Sequence, residues 1–295
     1  MKKRVFTGAA TALITPMNRD GSVNFARLET LVEEQITGGI DALLICGTTG
    51  EKSTLNYEEH VKVIETAAKA NAGRVPLIAG TGSNDTVYSV GLCADAEKMG
   101  ADAFLMVTPY YNKTSQRGLV AHYNYIADRV NKPIILYNVP SRTGVAIQPE
   151  TYKELSRHPN IVATKEANGD ISSVVKTRYL CGGDLDIYTG NDDQIVPTLS
   201  LGGIGVISVL SNILPGEVHK ICAEYLAGNT EKAAEMQIKY SGLISALFSD
   251  VNPVPVKAAM DIMGLEAGPC RLPLYNMSES ALETLKAKLA ECGCL

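Results

Sequence analysis

The stretch Ala42-Leu43-Leu44-Ile45-Cys46 is apolar at every position. A strand with one wet face alternates apolar and polar residues, whereas a strand of a parallel sheet in an α/β protein is covered on both faces. The stretch therefore predicts a buried parallel strand. A Gly-Thr-Thr-Gly turn follows at 47–50, and a helical pattern follows over Tyr57–Asn71. Strand and helix together form one βα unit.

The same alternation continues along the chain to about residue 209. The other strand candidates are Ala9–Ile14, Pro76–Ala79, Ala103–Val107, Ile134–Tyr137, Ile161–Thr164, Asp186–Tyr188 and Gly205–Val209. The other helical patterns include Phe25–Thr37, Thr86–Met99, Gly118–Val130 and Asp192–Leu201. Eight strands with helical crossovers predict an α/β fold, a (β/α)8 TIM barrel. An open doubly wound sheet is the alternative, but no G-x-G-x-x-G dinucleotide fingerprint follows the first strand.

After the eighth strand only helical patterns remain. They cover Glu231–Phe248, Pro255–Met263 and Ser278–Ala290. Asn229 and Thr230 are suited to cap the first of them. We predict a catalytic barrel over residues 1–228 and a small C-terminal helical domain over residues 229–295.

The composition excludes several classes of protein. The 295 residues are 45% hydrophobic and 20% charged, with a net charge of -5. This mild negative charge disfavours a nucleic-acid surface, and no stretch approaches the ~20 apolar residues of a membrane helix. The seven cysteines are scattered and form no C-x-x-C, which argues against a disulfide framework. We therefore expect a cytoplasmic protein with neither nucleic acid nor membrane as a partner.

Catalytic groups of barrels lie at the C-terminal ends of the strands. Here those ends are rich in hydroxyls and glycines and include one lysine, Lys165, but no histidine. The four histidines, all in helical or loop patterns, are His60, His122, His158 and His219. A catalytic zinc site built on histidines is therefore not expected.

Lys165 follows the run Ile161-Val-Ala-Thr164, so its stem leads from a buried strand into the barrel mouth. Desolvation lowers a lysine pKa, and a neutral amine attacks carbonyl carbon. The structural alternative is an ammonium that pairs with Glu166 or reaches solvent. Tyr137 and Thr48, at neighbouring strand ends, favour the chemical role because imine formation needs proton transfers that hydroxyls supply.

Two further segments are suited to carboxylates. The turn at 47–50 offers backbone N–H groups and two threonine hydroxyls, although a plain tight turn with capping hydroxyls fits as well. Arg142 lies in the Pro/Gly-containing loop 138–144, where a guanidinium either pairs with a carboxylate or is solvated. Tyr110 and Tyr111 are candidates either for the site or for packing.

Several segments, taken in order, resemble the dihydrodipicolinate synthase and N-acetylneuraminate lyase superfamily, and within it the synthase family. They are Ala12–Pro16, Gly47–Glu51, Ala79–Gly82, Thr108–Asn112, Leu136–Gly144, Lys165–Ala167, Gly205–Val209 and Asn252–Lys257. The resemblance covers nearly the whole chain. It implies a lyase that condenses pyruvate with L-aspartate 4-semialdehyde in diaminopimelate and lysine biosynthesis, with a Schiff base to the protein and no metal or other cofactor.

The resemblance also implies the catalytic roles. Lys165 corresponds to the Schiff-base lysine, and Tyr137, Thr48 and Tyr111 correspond to the hydroxyls that relay protons. The tyrosine matching Tyr111 reaches in from a neighbouring subunit in this family. The resemblance therefore implies a homotetramer, a dimer of dimers, whose activity depends on assembly.

Substrate-binding positions follow in the same way: they are Thr49, Arg142, Gly190 and Ile207. Thr49, together with Thr48, would bind the carboxylate of pyruvate, and Arg142 would bind that of the semialdehyde. Aldolases of the superfamily that cleave N-acetylneuraminate or keto-deoxy sugars are the closest alternative. They generally lack the Ser141-Arg142-Thr143 signature, which favours the synthase.

Some members bind lysine in a cleft between subunits, and His60, Asn84 and Tyr110 fit that cleft. Lys52 stands where a small residue is usual, and Tyr88 stands where feedback-sensitive members carry an acid. An added ammonium and a missing carboxylate both disfavour a cationic ligand. We therefore expect weak or absent inhibition by lysine.

A non-catalytic barrel that senses pyruvate or a similar acid is the alternative of a different class. Every candidate catalytic position carries a competent residue, which favours the enzyme. Borohydride reduction with pyruvate separates the two, because only the enzyme gains covalent mass. Lys257, in the segment Pro255-Val-Lys257, is a second lysine to consider, and we expect it on the surface of a helix.

Overall fold

The computed structural model describes residues 2–295. Its eight parallel strands form a closed barrel, in which each strand pairs with the next and the last pairs with the first. The strands are β1 (Gly8–Ala12), β2 (Ala42–Ile45), β3 (Leu77–Gly80), β4 (Ala103–Val107), β5 (Ile134–Asn138), β6 (Ile161–Glu166), β7 (Asp186–Thr189) and β8 (Gly205–Ser208). The predicted TIM barrel is confirmed.

Helices cover the outside of the barrel and continue after β8. They are α1 (Phe25–Thr37), α2 (Tyr57–Asn71), α3 (Thr86–Met99), α4 (Gln116–Ala127), α5 (Pro140–Thr143), α6 (Pro149–Leu155), α7 (Ile171–Cys181), α8 (Ile195–Ser200), α9 (Pro215–Leu226), α10 (Thr230–Leu247), α11 (Val254–Ile262) and α12 (Glu279–Glu291). The predictions for α1, α2 and α3 match these bounds. The pattern predicted from Gly118 begins at Gln116 instead, because the side chain of Ser115 caps the helix by accepting from the Gly118 N–H. Among residues 2–295, none of these helices combines the length and apolar character that crossing a membrane requires.

The two faces of β2 show why its sequence lacks alternation. Ala42 and Leu44 belong to the apolar cluster inside the barrel, whereas Leu43 and Ile45 pack outward against the helices. At the N-terminal end of the barrel, the ring of Phe6 stacks on Tyr188 with 4.2 Å between ring centroids. The interior is thus filled and closed at one end, which leaves the opposite end for a site.

The C-terminal helices extend the outer core of the barrel. Tyr240 and Leu285 belong to the same buried cluster that covers the outside of the strands. Asn229 precedes α10, but its side chain makes no capping hydrogen bond and instead donates to Glu224 at 2.7 Å. The predicted Asn229 cap is therefore wrong: the charge-assisted hydrogen bond to Glu224 orients the amide, and its oxygen does not accept from the first N–H groups of the helix. The division into residues 1–228 and 229–295 stays a prediction.

Lys257 is not on the surface of its helix, so that expectation is wrong. It is 2% exposed, and its Nζ donates to Glu51 Oε1 at 2.8 Å and to the carbonyls of Thr15 and Pro269 at 3.2 and 2.7 Å. Helix α11 is covered on both sides, by the turn after β2 and by the segment around Pro269. Burial of the ammonium is tolerated because a carboxylate and two carbonyls surround it.

Candidate active site

Strand register brings three of the long side chains together. Tyr137 on β5, Lys165 on β6 and Tyr188 on β7 are direct neighbours across the sheet. Because side chains alternate along a strand, Lys165 points into the barrel and Glu166 points to the helices. There the Glu166 carboxylate accepts from the Tyr152 hydroxyl at 3.0 Å, and burial raises its pKa to about 7. Pairing of Lys165 with Glu166 is thus excluded.

Lys165 is buried without a hydrogen-bond partner. It is 5% exposed, and its Nζ forms no hydrogen bond or ion pair with residues 2–295. The Nζ lies 4.7 Å from the ring centroid of Tyr137. Burial lowers the pKa of Lys165 to about 8; Asp192 opposes this shift and the charge of Arg142 adds to it. At neutral pH about a tenth of such amines is uncharged and nucleophilic.

Gly190 makes room for this lysine. A Cβ at position 190 would lie 2.7 Å from Lys165 Cε and 2.8 Å from the Cβ of Ala167. Any side chain there would displace the reactive stem. Ile207, on β8, is fully buried in the cluster inside the barrel, together with Tyr137. Gly190 therefore lies directly against Lys165. Ile207 lies in the barrel interior.

A cavity of about 220 Å³ opens at the C-terminal end of the barrel. Its lining includes Thr48, Tyr137, Arg142 and Lys52. Lys165 is not part of this lining, but Tyr137 connects the two, since its side chain both lines the cavity and contacts Lys165. Burial raises the pKa of Tyr137, and a hydrogen bond with Thr48 partly offsets this shift. This pair of hydroxyls links the cavity to the amine.

The side chain of Thr49 is hydrogen-bonded to a residue in the C-terminal part of the chain. Its Oγ1 accepts from Asn252 Nδ2 at 2.9 Å, and the carbonyl of Asn252 accepts from Arg142 at 3.3 Å. Asn252 therefore connects the two residues expected to bind carboxylates. Sequence reasoning missed this role, although Asn252 opens one of the segments that carry the family resemblance.

Glu51 braces the same turn. Its backbone is in the left-handed region, with φ of 53°, and its buried carboxylate accepts from Lys257 at 2.8 Å and from the Arg271 N–H at 2.9 Å. Such a backbone is unfavourable for a residue with a side chain unless surrounding contacts hold it. The ion pair with Lys257 thus fixes the end of the turn that presents Thr48 and Thr49.

Tyr111 does not reach the cavity of its own chain. It is 92% exposed, has a φ of 67° and is not among the residues that line the cavity. Its predicted role in the site of a neighbouring subunit stays a prediction. The preceding residue, Tyr110, lines the cavity instead.

A second cleft of about 330 Å³ lies beside the first. All five residues expected to form the regulatory site line it: Lys52, His60, Asn84, Tyr88 and Tyr110. Lys52, Ser53 and Tyr110 line both cavities and so form the wall between them.

Comparison with known proteins identifies the family of this chain. Residues 5–292 match the model of the "Dihydrodipicolinate synthetase family". The 4-hydroxy-tetrahydrodipicolinate synthases of Caldicellulosiruptor saccharolyticus and Acetivibrio thermocellus are 54% and 51% identical; the matches cover 98% of both chains and 100% of both chains, respectively. The crystal structure of dihydrodipicolinate synthase from Thermotoga maritima superposes with a TM-score of 0.96 at 42% identity, over 99% of this chain and 100% of that one.

Proposed function

Since this chain belongs to the dihydrodipicolinate synthetase family, we infer that it condenses pyruvate with L-aspartate 4-semialdehyde through a Schiff base on Lys165. The observation that carries the inference is the burial of Lys165 beside Tyr137 and Gly190, where its amine forms no hydrogen bond or ion pair with residues 2–295. Relatives at 51–54% identity are named 4-hydroxy-tetrahydrodipicolinate synthase, which supports the choice of substrates. The product lies on the route to diaminopimelate and lysine.

The reaction begins when the neutral amine of Lys165 attacks the keto carbon of pyruvate and water leaves. The resulting iminium withdraws electrons, so a proton is lost from the methyl group and an enamine forms. The enamine carbon attacks the aldehyde of the second substrate. The amino group of that substrate then attacks the iminium carbon, closes the ring and displaces Lys165. The protein supplies the electron sink, and no cofactor is needed.

Hydroxyl groups carry the protons of these steps. Tyr137 and Thr48 form the inner part of the relay, since both line the cavity and Tyr137 lies against the amine. We assign the outer part to Tyr111 of a neighbouring subunit, in a tetramer built as a dimer of dimers. The exposure of Tyr111 supports this assignment, because an exposed tyrosine outside its own cavity is available to a neighbouring subunit.

The two substrate carboxylates use separate groups. Thr49 Oγ1 already accepts from Asn252, so its own hydrogen is free to donate to the carboxylate of pyruvate. Arg142 brings a guanidinium to the outer cavity, where it pairs with the carboxylate of the semialdehyde. Gly190 and Ile207 complete the pocket through their backbones.

Borohydride trapping with pyruvate tests the assignment of the amine. Peptide mapping should place the reduced adduct on Lys165 and nowhere else. Lys52 is the matched control, because burial also lowers its pKa to about 8 and it lines the cavity directly. The variant K52M should gain the adduct and K165M should not; an adduct on Lys52 or Lys257 would contradict the mechanism. Turnover of N-acetylneuraminate without turnover of the semialdehyde would contradict the substrates.

We propose in addition that lysine inhibits this protein weakly or not at all. Lys52 brings an ammonium into the second cleft, and Tyr88 brings a phenol rather than a carboxylate. A steady-state assay should show no inhibition at submillimolar lysine. Clear inhibition in that range would refute the proposal.

A further inference from the structure

A buried polar pair lies on the outer face of the strands that carry Tyr137 and Lys165. Glu166 on β6 is 5% exposed, and Asn138, its neighbour on β5, is fully buried. The Nδ2 of Asn138 donates to both carboxylate oxygens of Glu166 at 3.0 Å. Strands of a parallel barrel are covered on both faces and are mostly apolar, so a carboxylate and an amide in this place indicate a role beyond packing.

The pair is complete within one chain. Oε2 of Glu166 accepts from the Tyr152 hydroxyl on α6 at 3.0 Å, and Oε1 accepts from the Asn168 N–H at 3.1 Å. The Oδ1 of Asn138 accepts from the Ile147 N–H at 3.0 Å, in the segment between α5 and α6. Every polar atom of the two side chains is therefore satisfied, and each is held in one orientation.

The pairing of β5 with β6 changes register before this pair. Ile134 lies opposite Ile161. The next residue, Ile135, lies opposite Ala163, so Val162 is an extra residue in β6. Val162 and Ala163 accordingly both belong to the apolar cluster inside the barrel, although successive residues of a regular strand point to opposite faces. Such an insertion is a β-bulge, and bulges next to active sites re-aim side chains.

The bulge decides which residue faces the lysine. If the first register continued along the strands, the residue opposite Tyr137 would be Thr164 rather than Lys165. The shift instead brings Tyr137 opposite Lys165. The next pair along the two strands is Asn138 with Glu166. Because a slip of one residue moves a side chain to the other face of the sheet, contacts beyond the bulge must hold the shifted register.

We propose that Glu166 and Asn138 are positioning residues, whose side-chain pair holds the shifted register and thereby keeps the amine of Lys165 against Tyr137. This inference rests on the proposed function, because it assigns the pair to the reaction of that amine. Without the pair, the ends of β5 and β6 can move relative to each other. A displacement of about 1 Å between reacting groups is enough to lower a rate about 100-fold.

Steady-state kinetics of the variant E166Q test the proposal. Glutamine has nearly the same shape, but its amide donates where the carboxylate accepts, so it opposes the Asn138 amide. We expect kcat to fall at least ~10-fold, with the KM for pyruvate within about twofold of wild type. The KM is spared because Asn252 and Lys257 hold the turn at 47–50 through separate contacts. The exchanged variant N138D/E166Q restores the pair with donor and acceptor reversed and should recover most of the lost kcat.

The variant Y152F is the matched control. It removes another donor to the same carboxylate but leaves the pair across the strands intact, so the urea midpoint should fall while kcat stays unchanged. If E166Q does not fold, N138A breaks the pair from the other strand and takes its place. The wild-type protein must first give the borohydride adduct on Lys165, since absence of that adduct would refute the proposed reaction itself. With the adduct present, the proposal is overturned by an unchanged kcat in E166Q, an equal loss of kcat in Y152F, or no recovery in the exchanged variant.

Discussion

Lys165 and Lys257 are both almost fully buried, but their surroundings differ. Lys257 donates to one carboxylate and two carbonyls, whereas Lys165 has an aromatic ring 4.7 Å away and no acceptor among residues 2–295. Burial alone therefore does not make an amine reactive. What matters is whether the ammonium has direct partners: Lys257, which has three, is a structural cation, whereas Lys165, which has none, has a lowered pKa.

The largest effect that tests this comparison is loss of the amine at Lys165. K165M should lower kcat by about 10⁴-fold or more, because no other group forms the iminium. Its free energy of unfolding should change little, since the buried amine forms no hydrogen bond or ion pair with residues 2–295. Steady-state kinetics and urea denaturation measure the two quantities. If the K165M protein kept its activity, Lys165 would not be the lysine that forms the Schiff base.

The reciprocal change at Lys257 should act on stability. K257M leaves Glu51 buried without its cation, which should cost about 3–5 kcal/mol of unfolding free energy. The double variant K257M/E51Q should recover about 2 kcal/mol, because the stranded charge is gone. Pyruvate trapping of the folded K257M protein should still modify Lys165. If the double variant were no more stable than K257M, the ion pair would not explain the role of Lys257.

Removing the hydroxyl beside Lys165 should have an intermediate effect. Y137F keeps the ring but breaks the relay through Thr48, so kcat should fall about 100-fold. The adduct with pyruvate should still form, more slowly, and its mass is the control. An unchanged kcat would mean that the protons take another route.

The pH dependence of adduct formation distinguishes the two lysines further. The pKa of Lys165 is lowered to about 8, so its neutral fraction rises about tenfold per pH unit below 8 and levels off above it. Trapping rates measured between pH 6 and 9 should follow that curve. Because the folded pKa is below the unfolded one, Lys165 should also make stability rise with pH between about 8 and 10.5, and K165M should lack this rise. A flat trapping profile would contradict a lowered pKa.

The smallest expected effect concerns Asn252, which donates a hydrogen bond to Thr49 and precedes Lys257 in the same segment. N252A removes the hydrogen bond to Thr49, worth about 1 kcal/mol, so the KM for pyruvate should rise about fivefold with little change in kcat. The matched variant N229A removes a surface amide of the same size and should leave KM unchanged. A fall in kcat alone would place Asn252 in the chemistry rather than in binding.

The barrel could be predicted from the sequence because every strand has its own pattern of apolar residues. The uninterrupted apolar run at 42–46 and the exact match of α1 show how well burial periodicity locates elements. Lys165 was found in the same way, from its place at the end of such a run. These features depend on residues that are close in sequence, and the periodicity of the apolar residues reports such local relationships directly.

The contacts of Lys257 and Asn252 were not predictable in this way. Lys257 pairs with a residue 206 positions away, and Asn252 with one 203 positions away. A helical pattern with one lysine looks the same whether its charged side meets water or a buried carboxylate.

The bracing of the β2 turn by Lys257 and Asn252 has a consequence for the order of synthesis. The ribosome releases the barrel strands, with Lys165 among them, before either bracing residue has been added, and N-terminal parts of a chain begin to fold first. Until the last helices dock, Glu51 has no cation and Thr49 has no amide partner. A nascent or prematurely ended chain would thus carry its amine in a barrel whose pyruvate-holding turn is still loose. A firm turn at Thr48 and Thr49 therefore requires that the segment carrying Asn252 and Lys257 has been synthesised and has docked.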